Sequence, residues 1–560
     1  MQTALPKINE TIIKEKLNRL YPNFSYRPHQ HETILKILKT IFCTRKKYII
    51  LVAPTGSGKS WIARQVAEVY NALMKDYYVA PTTTEPTHAE TLFLTKTISL
   101  QNQYLRDFPE IKKLMGATNY NCHSETILPI EPKLKAHFDC KYPVSSKRCE
   151  YNEARESYFK SSLKILNYSF FTTGLDKYQT RGLLICDEGH NFEEFLLDSF
   201  AFELNLIKMN KELSQIEISL TEQLGKLSKI DKITNSMAEQ LRGITLKAIE
   251  KFKALKSKFE SEIDGTAPEY LVKVIEENLR PLEELISKYE KLSLLMYLLQ
   301  VGNLDYWVIN YDKSTYTFSL KPIFVPVCMK RHIFELPEAV LFMSATGERI
   351  KEALKLEDDE TELINIDYIF PIENRPFYII KGMPALNKST FEANFPAYVK
   401  TADSIIKGVP SDTNIIIHSV SYYNADKYYQ LSEFKSRIRI PRGEEVRDLE
   451  KSIKKGEIII SPSITEGIDL GGGKAAINIF LKVPYGYLGD PWAVRKMELD
   501  TGWYSYNAML DIIQGVGRGI RSATDEAVAF ILDPSFNRLF LQTRNYIPDW
   551  FIKTMKEVKK

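Results

Sequence analysis

Ala53-Pro54-Thr55-Gly56-Ser57-Gly58-Lys59-Ser60 follows an apolar run, YIILV, and opens a segment of helical spacing, SWIARQVAEVYNALM. A loop this rich in small residues lets backbone N–H groups approach phosphate oxygens, and the N-terminus of the following helix favours negative charge. Thr55, Gly56, Ser57 and Gly58 would form the cradle, Lys59 would reach the β- and γ-phosphates, and the Ser60 hydroxyl would bind Mg²⁺. Asp187-Glu188-Gly189-His190 closes a second apolar run, GLLICDE (182–188). An Asp at the end of a strand can hold Mg²⁺ through its shell, and an adjacent Glu can polarise an attacking water. Gln514-Gly515-Val516-Gly517-Arg518-Gly519-Ile520-Arg521 places two guanidinium groups one helical turn apart, where Arg518 and Arg521 would act as arginine fingers on the γ-phosphate. Asp-Glu after a strand is a weak signal alone, but with the loop upstream the set specifies nucleotide hydrolysis.

These groups need a scaffold that brings strand ends together. TLFLTKT (91–97) and GLLICDE alternate with helical segments, so the first part of the chain reads as a parallel sheet with its ligand at the strands' carboxyl ends. Two regions break the rhythm. Residues 116–155 hold three of the six Cys among scattered Pro, His and Lys. Residues 200–300 are rich in Leu, Lys and Glu; Ala248, Phe252, Leu255, Phe259 and Ile263 share one helix face, as do Leu282, Leu285, Ile286, Tyr289 and Leu292, which predicts packing seams in a helical insertion. After VLFMSATGER (340–349) a second α/β series begins, with NIIIHSVS (414–421), EIIISPSITEGID (457–469), AINIFLKVP (476–484) and AVAFILD (527–533).

Composition sets outer limits. The 560 residues carry 75 Lys+Arg against 71 Asp+Glu, 44% hydrophobic and 26% charged residues, which argues for folded domains and against disorder. The formal charge of +4 does not by itself mark a nucleic-acid protein, so any basic surface must be local. The longest apolar runs are strand-sized and the first residues lack a signal-peptide apolar core, which predicts a non-membrane protein of a reducing, cytoplasmic compartment, nucleoid-associated or in host cytoplasm if viral.

As an ordered set, the phosphate loop, DEGH, SATG (344–347), TEGID (465–469) and QGVGRGIR (514–521) resemble a superfamily-two helicase, and most nearly the XPD/DinG iron–sulfur DNA helicases. The resemblance implies an α/β protein of two RecA-like P-loop domains: domain 1 from 1–115, 156–195 and 326–370, and domain 2 from 371–560. A cysteine-containing (Fe–S) insertion over 116–155 and a helical Arch-like insertion over 196–325 would interrupt the first. The length leaves no room for the extra nuclease domain of some relatives. The implied activity is ATP-dependent, Mg²⁺-requiring 5′–3′ translocation on single-stranded DNA and opening of forked duplexes, alongside repair or replication proteins. In the segment Tyr26-Arg27-Pro28-His29-Gln30, Arg27 and Gln30 match the adenine-reading motif. Thr95, Thr97 and Gln101 match the motif that holds the strand's backbone, and Asn167-Tyr168 the segment after the cluster. Ser344 and Thr346 match the linker between hydrolysis and unwinding; Thr465, Gly467 and Asp469 match the motif coupling grip to nucleotide. Hydroxyls and amides suit such contacts because they position a strand without reading its sequence.

The family pattern uses four Cys as cluster ligands. Here Cys122 and Cys149 match the first and last, Cys140 stands between them, and the expected Cys-x-x-Cys reads His137-Phe138-Asp139-Cys140. Three Cys and His137 suit a [4Fe–4S] cluster with one nitrogen ligand, or a structural zinc; free thiols after loss of the metal are the third reading. His123 is a second candidate for the fourth ligand. Cys43, Cys186 and Cys328 lie in apolar contexts and are expected to pack. Two other functions stay open: an ATP-gated DNA clamp without processive unwinding, and an RNA-directed motor.

Overall fold

The computed structural model describes residues 5–78, 88–116, 119–120, 150–173, 178–220, 234–261, 269–312, 314–325, 333–447, 449–462, 477–517 and 524–559. It divides into two compact units, one of Met1–Glu193, Ile333–Gly489 and Lys496–Lys560, the other of Glu194–His332 and Asp490–Arg495.

The larger unit holds two parallel seven-stranded sheets. From edge to edge the first runs Thr361–Asn365, Tyr48–Val52, Ala339–Ser344, Leu183–Asp187, Thr91–Thr95, Leu163–Asn167 and Lys112–Lys113. Sheets covered on both faces need apolar residues at every position rather than in alternation, and Leu183–Asp187, Thr91–Thr95 and Ala339–Ser344 are buried throughout. The register lines up the chemistry: Val52 lies opposite Ser344, Leu94 opposite Cys186, and Thr95 opposite Asn167. The three motif-bearing turns therefore leave the sheet at one level. Ile49, Leu51, Ile185, Leu341 and Met343 pack with Val66, Tyr70 and Leu73 of helix Lys59–Tyr77 in the core of this half.

The second sheet runs Ile438–Arg439, Ile458–Ser461, Ile415–His418, Ile477–Phe480, Val528–Ile531, Phe377–Lys381 and Met555–Lys559. Its strands are shorter than the apolar runs that foretold them, because polar ends such as Ser419–Ser421 leave the ladder: Ser421 caps helix Tyr422–Leu431 by accepting from the Asn424 amide. Gly515 of helix Trp503–Gly517 lies close against Phe480; a Cβ there would stand 2.8 Å from the ring.

The smaller unit combines long helices, Asn235–Ser261 and Glu269–Val301, with an antiparallel sheet of Phe202–Asn205, Thr317–Pro322 and Trp307–Asp312. Of the anticipated seams, Ala248, Phe252, Leu282, Ile286, Tyr289 and Leu292 are buried, whereas Leu255 is exposed and Leu285 half-buried. Phe252 meets Tyr289 at 5.4 Å, and Lys256–Glu283 and Lys253–Glu290 pair across the helices at 2.6 Å. The three-stranded sheet was not foreseen, since its strands are short and half-polar. The Trp492 indole donates to the Pro322 carbonyl at 2.9 Å in this unit. Among the described residues no helix is long and apolar enough to cross a membrane.

Candidate active site

The phosphate loop is shaped by two glycines in the left-handed region, Gly56 (φ 81°) and Gly58 (φ 82°), the second directly before the helix that starts at Lys59. Glycine alone takes this turn without strain. Ser57 Oγ donates to the Pro54 carbonyl at 2.7 Å, and Lys59 Nζ folds back to the Ala53 carbonyl at 3.1 Å. Gln30 braces the loop from outside: its Nε2 donates to the Ser57 carbonyl at 3.0 Å while its Oε1 accepts from the Arg27 amide at 2.9 Å. Arg27 also donates to the Gly56 carbonyl. Both matched residues thus touch the loop, and Gln30 is buried.

Asp187 ends its strand in the interior. Burial first, then the Glu188 carboxylate, push its acid up to about 6 against the pull of Lys59. Tyr104 donates to Asp187 Oδ2 at 3.0 Å, and Tyr168 donates to the Asp187 main-chain carbonyl at 2.6 Å. Glu188 takes a left-handed conformation (φ 50°), with its amide donating to Asp187 Oδ1 at 3.0 Å. A buried carboxylate beside a glycine cradle and an ammonium is the donor set that a nucleotide with a divalent cation requires, so the residues present fit Mg²⁺ and ATP.

His190 connects this end to the rest. Its Nε2 faces the amide groups of Asn191 (2.9 Å) and Gln514 (2.7 Å) and so acts as acceptor, which leaves the proton on Nδ1, 2.7 Å from Ser344 Oγ. Burial holds the imidazole neutral, down to about 4. Ser344 Oγ also accepts from the Thr346 amide at 2.9 Å, and Tyr506 donates to the Thr346 carbonyl at 2.9 Å. Thr55 Oγ1 donates to the Gly517 carbonyl at 3.4 Å. Deeper still, Lys496 pairs with Glu193 at 2.7 Å and Arg349 with Asp500 at 2.6 Å, with Lys496 wholly buried. Groups of both sheets therefore meet within the larger unit.

Of the strand-contact candidates, Thr97 caps helix Ile98–Asp107 by accepting from the Leu100 amide at 3.2 Å. Asn167 accepts from the Phe170 amide at 2.7 Å, and Thr95 donates to the Thr97 carbonyl at 3.3 Å. Gln101 is fully buried, and its amide has no hydrogen-bond partner among the described residues. Thr465, Gly467, Asp469, Arg518 and Arg521 lie outside the described residues, as do Cys122, His123, His137, Cys140, Cys149 and Cys328. Among the described residues no group of three or more His, Cys, Asp or Glu is arranged to hold a metal. Cys186 is buried as expected, whereas Cys43 is exposed. Sequence reading did not single out Tyr104, Lys496 or Asp500. The one available signal was helical spacing, which puts Tyr104 three residues after Gln101 on the same face.

The helicase C-terminal domain model matches residues 398–554, and the model for the type III restriction enzyme res subunit matches residues 23–221. No curated protein matches the chain by sequence. Among solved structures, an XPD helicase superposes with a TM-score of 0.57 at 15% identity, covering 96% of this chain and all of the other. An apo XPD gives 0.53 at 14% over 94% of this chain, and Xpd4 of S. tokodaii 0.52 at 14% over 95%, each covered completely. The two parallel sheets are thus RecA-like domains, arranged as in XPD. Fold and family models define the class: an ATP-dependent nucleic-acid helicase. Within it, the fold is similar to that of the XPD helicases.

Proposed function

We propose that this helicase translocates 5′ to 3′ on single-stranded DNA and opens forked duplexes, in DNA repair, replication or recombination. The observation that carries the motor reading is His190: one imidazole touches Ser344 of the first sheet and Gln514 of helix Trp503–Gly517, which packs on the second, next to Glu188. A change at the γ-phosphate end is thereby felt by both halves. DNA as substrate and the 5′–3′ direction rest on the ordered motifs and on the XPD likeness.

In this reading Gln30 and Arg27 set the adenine side, and Thr55 through Ser60 wrap the phosphates. Lys59 neutralises phosphate charge, while Ser60 and Asp187 hold the cation, which when bound neutralises charge on the phosphate oxygens. Glu188 orients the attacking water, and Gln514, Arg518 and Arg521 face the γ-phosphate. Gly467 and Asp469 couple nucleotide to grip; Thr95, Thr97, Asn167 and Thr465 hold the strand, while Gln101 and Tyr168, fully buried, support the gripping segments from within. The domain division at 115, 155, 195, 325 and 370 belongs to the same proposal. So does a [4Fe–4S] cluster on Cys122, His137, Cys140 and Cys149, pinning the loops that split the duplex.

Strand separation on duplexes bearing a 5′ or a 3′ tail tests the direction: activity on the 5′ tail alone is expected, and activity on the 3′ tail alone overturns it. For the cluster, anaerobically purified protein is assayed for iron and sulfide. Cys140→Ser is expected to release iron and abolish unwinding while ATP hydrolysis survives; full unwinding without iron contradicts this.

A further inference from the structure

Asp187 receives a hydroxyl from each of two elements that the motifs assign to gripping the strand. Helix Ile98–Asp107, capped by Thr97, sends Tyr104 to the Asp187 carboxylate. The segment that begins with Asn167 sends Tyr168 to the carbonyl of the same residue. Both rings are almost completely buried, so neither hydroxyl can exchange its acceptor for bulk water. The Ser60 side chain is a further neighbour of the Tyr104 hydroxyl, which places that hydroxyl between the two residues assigned to the cation. Thr95 and Asn167 are register partners on adjacent strands; the strand of Thr95 pairs with that of Asp187, and the strand of Asn167 lies one further out. A shift of either gripping turn must therefore pull on a hydrogen bond to Asp187.

We propose that Tyr104 and Tyr168 are positioning residues that tie strand binding to the geometry of the cation-holding carboxylate Asp187. Neither touches phosphate or water; they act through Asp187. This rests on the assignment of Asp187 to the cation, made above. By linkage, if strand occupancy changes the cation's affinity, the cation changes the strand's affinity by the same factor. Tyr→Phe removes only the hydroxyl and leaves the packed ring.

The test measures Mn²⁺ binding by electron paramagnetic resonance in the presence of ADP, with and without single-stranded oligothymidylate, for wild type, Tyr104→Phe, Tyr168→Phe and Asp187→Asn. The wild type should show a strand-dependent Mn²⁺ affinity. Tyr104→Phe should lose that dependence, and DNA-stimulated kcat should fall about tenfold, the scale of one hydrogen bond to a charged acceptor. KM for ATP and the oligonucleotide affinity should stay within about twofold, a split that a general loss of structure would not produce. Tyr168→Phe should lose part of the dependence. Wild-type coupling in both Tyr variants, or no coupling in the wild type, overturns the proposal. Asp187→Asn separates the two levels: if it binds Mn²⁺ like the wild type, the cation assignment itself fails. If it loses Mn²⁺ while the Tyr variants behave as wild type, only the positioning role fails.

Discussion

Glu348 follows the Ser344-Ala345-Thr346-Gly347 turn, and its Oε2 is buried without a hydrogen-bond partner among the described residues. Burial raises its acid from 4.5 to about 8. Because the folded value is the higher one, folding favours the protonated form; the contribution is intact below the unfolded value and is lost as pH rises through the folded one. Glu348→Gln should therefore unfold at a higher temperature than wild type at about pH 8, with the gap closing near pH 4. A gap that stays constant over that range in thermal scans would contradict this. The residue scale also shows what a sequence can and cannot disclose. Lys59, Asp187 and Glu188 were readable because their neighbours in sequence are their neighbours in space. His190 lay inside a recognised motif, yet its partners Ser344 and Gln514 are 154 and 324 residues away, and no local pattern encodes such a meeting. Gln101 matched a surface-contact motif but is buried, since the helix face that carries it turns toward the sheet.

At the scale of elements, the phosphate loop works because strand, turn and helix agree. The strand Tyr48–Val52 fixes its start, Gly58 makes the left-handed turn, and the helix from Lys59 aims its N-terminal amides at the loop. Gln30 then fills the space that a side chain at position 58 would need: a Cβ there would stand 2.1 Å from Gln30 Nε2. Gly58→Ala thus costs about 1–2 kcal/mol in backbone strain and also displaces the brace. A fluorescent ATP analogue should bind this variant at least about tenfold more weakly; wild-type affinity would show that the brace is dispensable. Strand and helix identities were legible wherever apolar runs were continuous, as in IIIH and LLICD. The three-stranded sheet of the smaller unit was not: Thr317–Pro322 alternates half-buried and buried positions as a half-buried strand does, but over only six residues beside a stretch dominated by helical spacing.

For the molecule as a whole, the buried pairs Lys496–Glu193 and Arg349–Asp500 join segments of the two sheets' halves in the larger unit. Lys496 lies 3.7 Å from Asp500 as well, so the four side chains form one network. Removing one member leaves a buried charge unpaired, which typically costs about 3–5 kcal/mol. Lys496→Met should lower stability in urea by that order, and Glu193→Gln with Lys496→Met should recover much of it. Equal stability of Lys496→Met and wild type would mean the network holds nothing together. The near-neutral charge of the chain suits a helicase that must release its strand repeatedly, since a strongly basic surface would hold it. The central claim is that hydrolysis at Lys59, Asp187 and Glu188 drives strand separation. The most direct measurement follows ATP hydrolysis and strand separation together on a 5′-tailed DNA duplex, for wild type and Lys59→Ala. Hydrolysis stimulated by the DNA, strands separated in the same reaction, and both lost in the variant are the expected outcome. Stimulated hydrolysis with no strand separation would contradict it and identify an ATP-gated clamp instead.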